Sequence, residues 1–361
     1  MAAAARDPGA APAPGGLKPT AASNPPPPRI GTHDGTFHCD EVLACFLLRL
    51  LPRYREAEVL RSRDPALLAQ CDVVLDVGGE FDPKRHRYDH HQRSFSHSMH
   101  SLRPHKPWLT KLSSAGLVYC HFGSQILAQL LEQPQDSPEV ELLYDQLYEN
   151  FVEEIDAIDN GLAVGEGRPR YAVTTTLSAR VARLNPPWNQ PRERPQVQAA
   201  FERALELVGG EFLERVGYYR HVWLPARDLL RAAIGQRRRV DPGGAVLELP
   251  QGTGGCPWRE LLPGLEQELG LEQELLLVLV PEGSEWRLHC VPCAPHSFQC
   301  RLLLPEPWRG LRAQELSRVA AIPGCSFVHA NGFTGGHESR EGALAMARRA
   351  LELGRGGTQS P

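Results

Sequence analysis

Residues Val73-Val74-Leu75-Asp76-Val77-Gly78-Gly79 constrain this chain more than any other stretch. A short unbroken apolar run bounded by glycines is a buried strand rather than an exposed one. It delivers an acid, Asp76, where the strand ends. Such a carboxylate either bonds the backbone of the following turn or serves as a metal ligand.

Strand and helix patterns alternate around it. Arg29 to Thr32 reads as a short strand, and Thr32-His33-Asp34-Gly35-Thr36-Phe37-His38-Cys39-Asp40-Glu41 as a turn leading into an apolar helix that starts near Asp40. Ala57 to Arg61 is a second strand and Pro65 to Ala69 a second helix. This alternation predicts an α/β fold with a parallel sheet, in which ligand sites gather at the carboxyl ends of the strands. His33, His38 and Asp40 fall at one such end; the plainer alternative makes Asp40 a helix cap.

Between Phe81 and Lys111 the chain places six of its 14 histidines, seven Lys or Arg, and Asp82 and Asp89. At its heart is Tyr88-Asp89-His90-His91-Gln92. Imidazole with carboxylate suits a divalent transition metal, and surplus basic groups suit a phosphate that the metal would polarise. The combination points to a metal-dependent phosphoesterase. His97, His100 and His105 read as members of a solvated basic loop.

A helix is expected from Ser137 as cap and Pro138 through Ile158, stopped at Asn160-Gly161. It carries Asp156 and Asp159 three apart in its last turn. Acids at that end oppose the helix dipole unless a cation offsets them, or unless they simply face water.

Composition excludes several classes. The formal charge of −4 rules out a generally basic surface, so contact with a polyanion requires local patches. No apolar run reaches the length of a membrane-spanning helix. Nine dispersed cysteines without a secretory h-region suit a reducing compartment. Cys290 and Cys293, with His289, His296 and Cys300 near, lack the second spaced pair of a structural zinc site. Residues 1–28 are rich in Ala, Pro and Gly and form no core; they are acid-poor, as mitochondrial presequences are, but lack arginine richness and an amphipathic period.

The series His33, His38-x-Asp40, Asp76, Asp89-His90-His91 and Asp156 or Asp159 resembles the four motifs of the DHH phosphoesterase superfamily. The wording Gly-Thr-His-Asp-Gly-Thr-Phe-His-Cys-Asp-Glu, Asp-Val-Gly-Gly and His-Arg-Tyr-Asp-His-His-Gln is closer still to the melanocyte-proliferating-gene protein family, over nearly everything after residue 29. The resemblance implies a 3'-to-5' RNA exonuclease acting on single-stranded RNA, in the nucleus (nucleoplasm and nucleolus) and the mitochondrial matrix. It implies that His33 and His38 hold one divalent ion, that Asp76 bridges two, and that Asp40, His90 and Asp156 or Asp159 hold the other. His91 would face the substrate phosphate and Asp89 would orient a histidine. Manganese suits such mixed ligands, with magnesium the alternative. One departure is that His38 stands where the superfamily commonly has Asp, which removes a negative charge and softens that site. Two rival readings stay open: a phosphodiesterase or pyrophosphatase for dinucleotides or small phosphates, and a non-catalytic RNA-binding protein.

The expected organisation is a leader over 1–28, a DHH-like catalytic domain over 29–190, a helical connector over 191–243, a smaller α+β substrate-binding domain over 244–355, and a tail over 356–361. Arg180 and Arg183, three apart on one helix face, are candidate contacts to a nucleic-acid backbone. Short strands near 245–249, 275–280, 286–291 and 297–302 predict a largely antiparallel sheet. Phe327 to His337 reads as a strand followed by a Gly-rich loop, whose His329, Gly335, Gly336 and His337 resemble the substrate loop of domains that accompany DHH domains, so that two lobes would clamp one strand end. The residues leave a homo-oligomer open.

Overall fold

The computed structural model describes residue 1 and residues 27–356, except 166, 168, 169, 191, 272, 295, 296 and 298. The leader's bulk, the tail from 357 and His296 therefore lie outside the described residues. In order the elements are β1 (Arg29–Thr32), α1 (Cys39–Arg49), β2 (Glu58–Arg61), α2 (Pro65–Leu68), β3 (Val73–Leu75), β4 (Phe81–Asp82), β5 (Arg87–Tyr88), α3 (Met99–Leu102), α4 (Ser114–Leu131), α5 (Pro138–Leu147) and α6 (Glu153–Asp159). There follow α7 (Leu177–Ala182), α8 (Arg194–Tyr218), α9 (Leu224–Val240), β6 (Val246–Glu248), α10 (Trp258–Leu269), β7 (Leu277–Glu282), β8 (Glu285–Cys290), α11 (Ala313–Ala320), β9 (Cys325–Val328), β10 (Thr334–His337) and α12 (Arg340–Gly356). The chain packs as two compact units, one of residues up to 126 with 152–208, the other of 127–151 with residues from 209 onward.

The first unit holds a sheet of order β2-β1-β3-β5-β4, parallel except at the β4–β5 edge. Val73, Val74 and Leu75 are all buried, as the apolar run requires. From β1 the chain runs to β2 on one side and then crosses to β3 on the other. The strand order thus reverses between β1 and β3, and a crevice opens where such a reversal occurs. The carboxyl ends of β1, β3 and β5 deliver His33, Asp76 and Asp89 to that edge.

The second unit holds a sheet of order β6-β7-β8-β10-β9, with one parallel pair, β6–β7. Its core gathers Leu277, Leu279, Leu288, Trp308, Leu316, Met346 and Ala347. The largely antiparallel expectation holds, with two corrections. Near 297–302 there is only an isolated bridge, Pro292 with Cys300, because no neighbouring strand pairs with that segment among the described residues. Gly335 and Gly336 do not lie in a loop. They are buried in β10, where a Cβ on Gly335 would come 3.0 Å from the Phe327 carbonyl and one on Gly336 3.0 Å from the Phe327 ring. A side chain at either position would crowd β9, and one on Gly336 would first meet the Arg287 guanidinium.

The helix expected from 138 to 158 is also modified. Ser137 caps α5 as its position suggests, accepting the Val140 amide at 3.2 Å, but a π-helical turn over Tyr148–Val152 separates α5 from α6. Asp156 and Asp159 both lie beyond that turn, in α6.

Candidate metal centre

Asp76 leaves β3 in a left-handed backbone conformation, φ 57°, which few residues other than glycine adopt. The turn directs its two carboxylate oxygens to two different histidines. Oδ2 lies 3.3 Å from His33 Nε2, and Oδ1 lies 3.2 Å from His90 Nε2.

Each histidine nitrogen meets further carboxylates. His33 Nε2 is 3.0 Å from Glu41 Oε1, and His90 Nε2 is 3.2 Å from Asp159 Oδ2 and 3.6 Å from Asp40 Oδ2. A single N–H shared among two or three oxygens bonds each of them weakly, whereas a cation among them would meet them all. Two ligand sets result: His33, His38, Glu41 and Asp76, and Asp40, His90 and Asp159, with Asp76 and His91 also near His90. Imidazole nitrogen with carboxylate oxygen, largely buried, is a donor set for a divalent transition metal.

His33 Nδ1 donates to the Asp34 carbonyl at 3.0 Å, which leaves Nε2 as the free donor atom of the neutral ring. His90 lacks such a brace, since its buried Nδ1 has no hydrogen-bond partner among the described residues. His38 is exposed at the start of α1, its ring centroid 5.7 Å from that of His33.

The electrostatics are those of a crowded acidic site. Burial, then the Asp76 and Asp159 charges, push Asp40 well above the usual carboxylate range. Burial also raises Asp159, with Asp76 adding to it and His90 opposing. For Asp76 burial works against ionisation, yet its bonds to His33 and His90 outweigh it and hold the group well below its ordinary value. Burial lowers His33, but Asp76 and Glu41 more than compensate and bring it up to about 10.

Asp156, one of the two alternatives for the fourth motif, does something else. It is fully buried, and its Oδ1 accepts the Ser113 amide at 2.9 Å and the Gly116 amide at 3.0 Å. Asp40 accepts the amides of Ser114 and Ala115. The first turn of α4 is thus capped by two carboxylates from other elements, where they also meet the positive end of the helix dipole. Ser113 Oγ sits between them, 2.6 Å from Asp40 Oδ1 and 2.7 Å from Asp156 Oδ1. Asp159 is the fourth-motif residue that reaches the histidines.

Asp89 is tied to the turn after β3 by the Gly79 amide, and it binds His91 through the amide at 3.1 Å and Nδ1 at 2.8 Å. Its bond to Asp89 raises the His91 pKa, and that side chain remains 63% exposed. Two cavities share His38, Asp76 and His91: one of about 760 Å³ that includes His33, Arg63 and Asp89, and one of about 700 Å³ that includes Asp40, His90, Lys111 and Asp159.

Arg180 and Arg183 lie off these walls. From α7 and its cap it is Thr176, Ser178, Ala179 and Ala182 that line the second cavity. Arg183 donates to the Thr174 carbonyl at 3.0 Å. In the second unit His337 is buried, donating from Nε2 to the Pro323 carbonyl at 2.7 Å and accepting the Ser339 amide at Nδ1 at 2.9 Å. Exposed His329 accepts the Asn331 amide at 3.1 Å and packs on Phe333.

Glu41 is the ligand candidate that sequence reasoning passed over. Its carboxylate also accepts the His38 amide at 3.0 Å in a capping box, and the acid three residues after a helix cap was the available signal.

A protein-family model described as "MYG1_exonuc: Uncharacterised protein family (UPF0160)" matches residues 29–351. The chain belongs to the MYG1 family. Human MYG1 exonuclease is 61% identical over 327 residues, 90% of this chain and 86% of that protein. MYG1 exonuclease of Bos taurus is 59% identical over 343 residues, 93% and 89% of the two chains, and the MYG1 protein of Dictyostelium discoideum 42% identical over 325 residues, 89% and 96%. Among solved structures, RecJ of Thermus thermophilus in complex with Mg2+ aligns with 93% of this chain and 50% of that one, at 14% identity and a TM-score of 0.24. That likeness is too slight to bear on the site. The MYG1-family match spans all the residues assembled around Asp76.

Proposed function

We propose that this chain is a metal-dependent 3'-to-5' exoribonuclease that removes nucleotides from the end of single-stranded RNA. The reading rests on Asp76, whose two oxygens face two histidine Nε2 atoms within a set of buried carboxylates. It is supported by relatives named exonucleases. His33, His38 and Glu41 would hold one ion, and Asp40, His90 and Asp159 the other, with Asp76 shared. Ions bound there would polarise a phosphoryl oxygen and lower the pKa of a water. Manganese fits the mixed ligands, with magnesium second.

The chain's own groups do the rest. Asp89 holds His91 by Nδ1, which leaves Nε2 for the substrate. The bond to Asp89 raises the His91 pKa, which favours the protonated ring as a donor to the phosphate. Lys111, on the wall of the second cavity, adds positive charge. Gly335, Gly336 and His337 drop out of the contact set because they are buried in and beside a sheet. A nuclear and mitochondrial location belongs to the same proposal, to be checked by imaging the tagged full chain.

The test is cleavage of 5'-labelled single-stranded RNA with manganese by the wild type beside Asp76→Ala and His90→Ala. A ladder shrinking from the 3' end, absent with both folded variants, is expected. No cleavage by the wild type with manganese, magnesium, cobalt or iron overturns the assignment and turns attention to dinucleotides and pyrophosphate.

A further inference from the structure

Next to the cavity at His33 lies another, of about 450 Å³, that the chemistry above does not use. The two share Asp34 and Gly35 as a common wall. The second is within the roughly 300–1,000 Å³ range of small-ligand pockets. Its walls carry Arg61, Arg192 and Arg194. Asp34 is the one acid on that wall, and it pairs with Arg63 at 3.3 Å.

None of the three arginines pairs with a carboxylate among the described residues. Arg61 Nη2 donates to the Gly35 carbonyl at 2.9 Å, its guanidinium lies 4.8 Å from the Phe201 ring and 5.6 Å from the Phe37 ring, and its buried Nε has no partner. Arg192 reaches only neutral oxygens, Thr36 Oγ1 and the Pro186 carbonyl, each at 3.3 Å. Arg194 opens α8, a 25-residue helix whose first turn adds a favourable field for an anion. In a chain of net charge −4, arginines ordinarily find an acid. Here three like charges face one space, an arrangement that is unfavourable until an anion shares it.

The cavity is also braced. Asn185 accepts the Phe37 amide at 3.0 Å and donates to the Phe37 carbonyl at 2.8 Å, and Phe37 meets Phe201 edge to face at 5.7 Å. The wall that separates the two cavities is therefore fixed to the segment that carries the arginines.

We propose that this cavity is a phosphate subsite for a single-stranded polynucleotide. It holds a backbone phosphate of a nucleotide next to the one being removed, on a strand that passes over Asp34 and Gly35. Guanidinium forks match the geometry of phosphate oxygens. The choice of ligand rests on the nuclease reading above.

The test measures fluorescence anisotropy of labelled single-stranded RNAs of two and eight nucleotides, with the full chain in EDTA so that nothing is hydrolysed. Arg192→Gln/Arg194→Gln is compared with the wild type. The eight-nucleotide strand should bind the double variant roughly tenfold more weakly, about 1.4 kcal/mol, while the dinucleotide changes much less. The slope of log affinity against log salt should shrink by about 0.7, because each phosphate charge neutralised on a single strand contributes about that much. Should the double variant unfold by circular dichroism, Arg194→Gln, which breaks no hydrogen bond among the described residues, carries the test with a smaller change in the same direction. An unchanged affinity and slope overturn the subsite, and so does a wild type that fails to bind the longer strand. Cleavage by the wild type with manganese is run separately. Variant-sensitive binding without cleavage removes the nuclease reading and keeps the subsite, whereas cleavage without a variant effect does the reverse.

Discussion

Asp156 occupies the space that a side chain on Gly116 would need, and it accepts the Gly116 amide at 3.0 Å. A Cβ at that position would overlap the carboxylate. Replacing glycine by alanine in a helix ordinarily gains up to about 1 kcal/mol, but overpacking a rigid site costs about 1–3 kcal/mol. The overlap is with a fully buried group that has nowhere to go, so Gly116→Ala should lower the urea midpoint. A raised midpoint would mean that Asp156 is not locked in place.

The two acids of the fourth motif should separate by experiment. Asp156→Asn weakens charge-assisted bonds to backbone amides, and a loss of roughly 1–3 kcal/mol of stability is expected. Asp159→Asn removes one of several crowded carboxylates. It should leave the stability of the metal-free protein unchanged or improved, while divalent-ion affinity falls at least about tenfold. Calorimetric titration and denaturation on both variants check this, and the opposite pattern would exchange their roles.

Glu41→Gln keeps an oxygen for the His38 amide but loses the charge beside His33. The protein should stay folded, and manganese stoichiometry measured by elemental analysis should drop from two toward one. Retention of two tightly held ions would remove Glu41 from the ligand set.

His33 supplies a pH signature. Its folded pKa of about 10 lies above the ordinary 6.5, so its contribution to the metal-free fold is complete below about 6.5 and is lost as pH rises through about 10. A divalent ion must displace that proton to reach Nε2. Metal affinity should therefore rise across the same interval, with close to one proton released at this position at pH 7.5, read by titration in buffers of different ionisation heat. An affinity independent of pH between 6.5 and 9 would show that His33 is not a ligand.

Much of this was legible in the chain. The apolar run at 73–75 is buried β3, Ser137 caps α5 where its position puts it, and the motif residues His33, Asp40, Asp76, His90 and His91 converge near the strand ends. These are local properties: periodicity, caps and breakers act over a few residues, and a parallel sheet then brings every strand's carboxyl end to one edge.

What only the tertiary structure decided is which neighbours those ends acquire. Asp156 and Asp159 look equivalent in sequence, but packing brings one to the amides of α4 and the other to His90. Gly335 and Gly336 have the composition of a phosphate loop and are instead the close contact of two strands. Arg61, Arg192 and Arg194 are up to 133 positions apart and meet around one cavity. Sequence spacing specifies the torsions of a segment, whereas packing against distant segments specifies what its side chains touch.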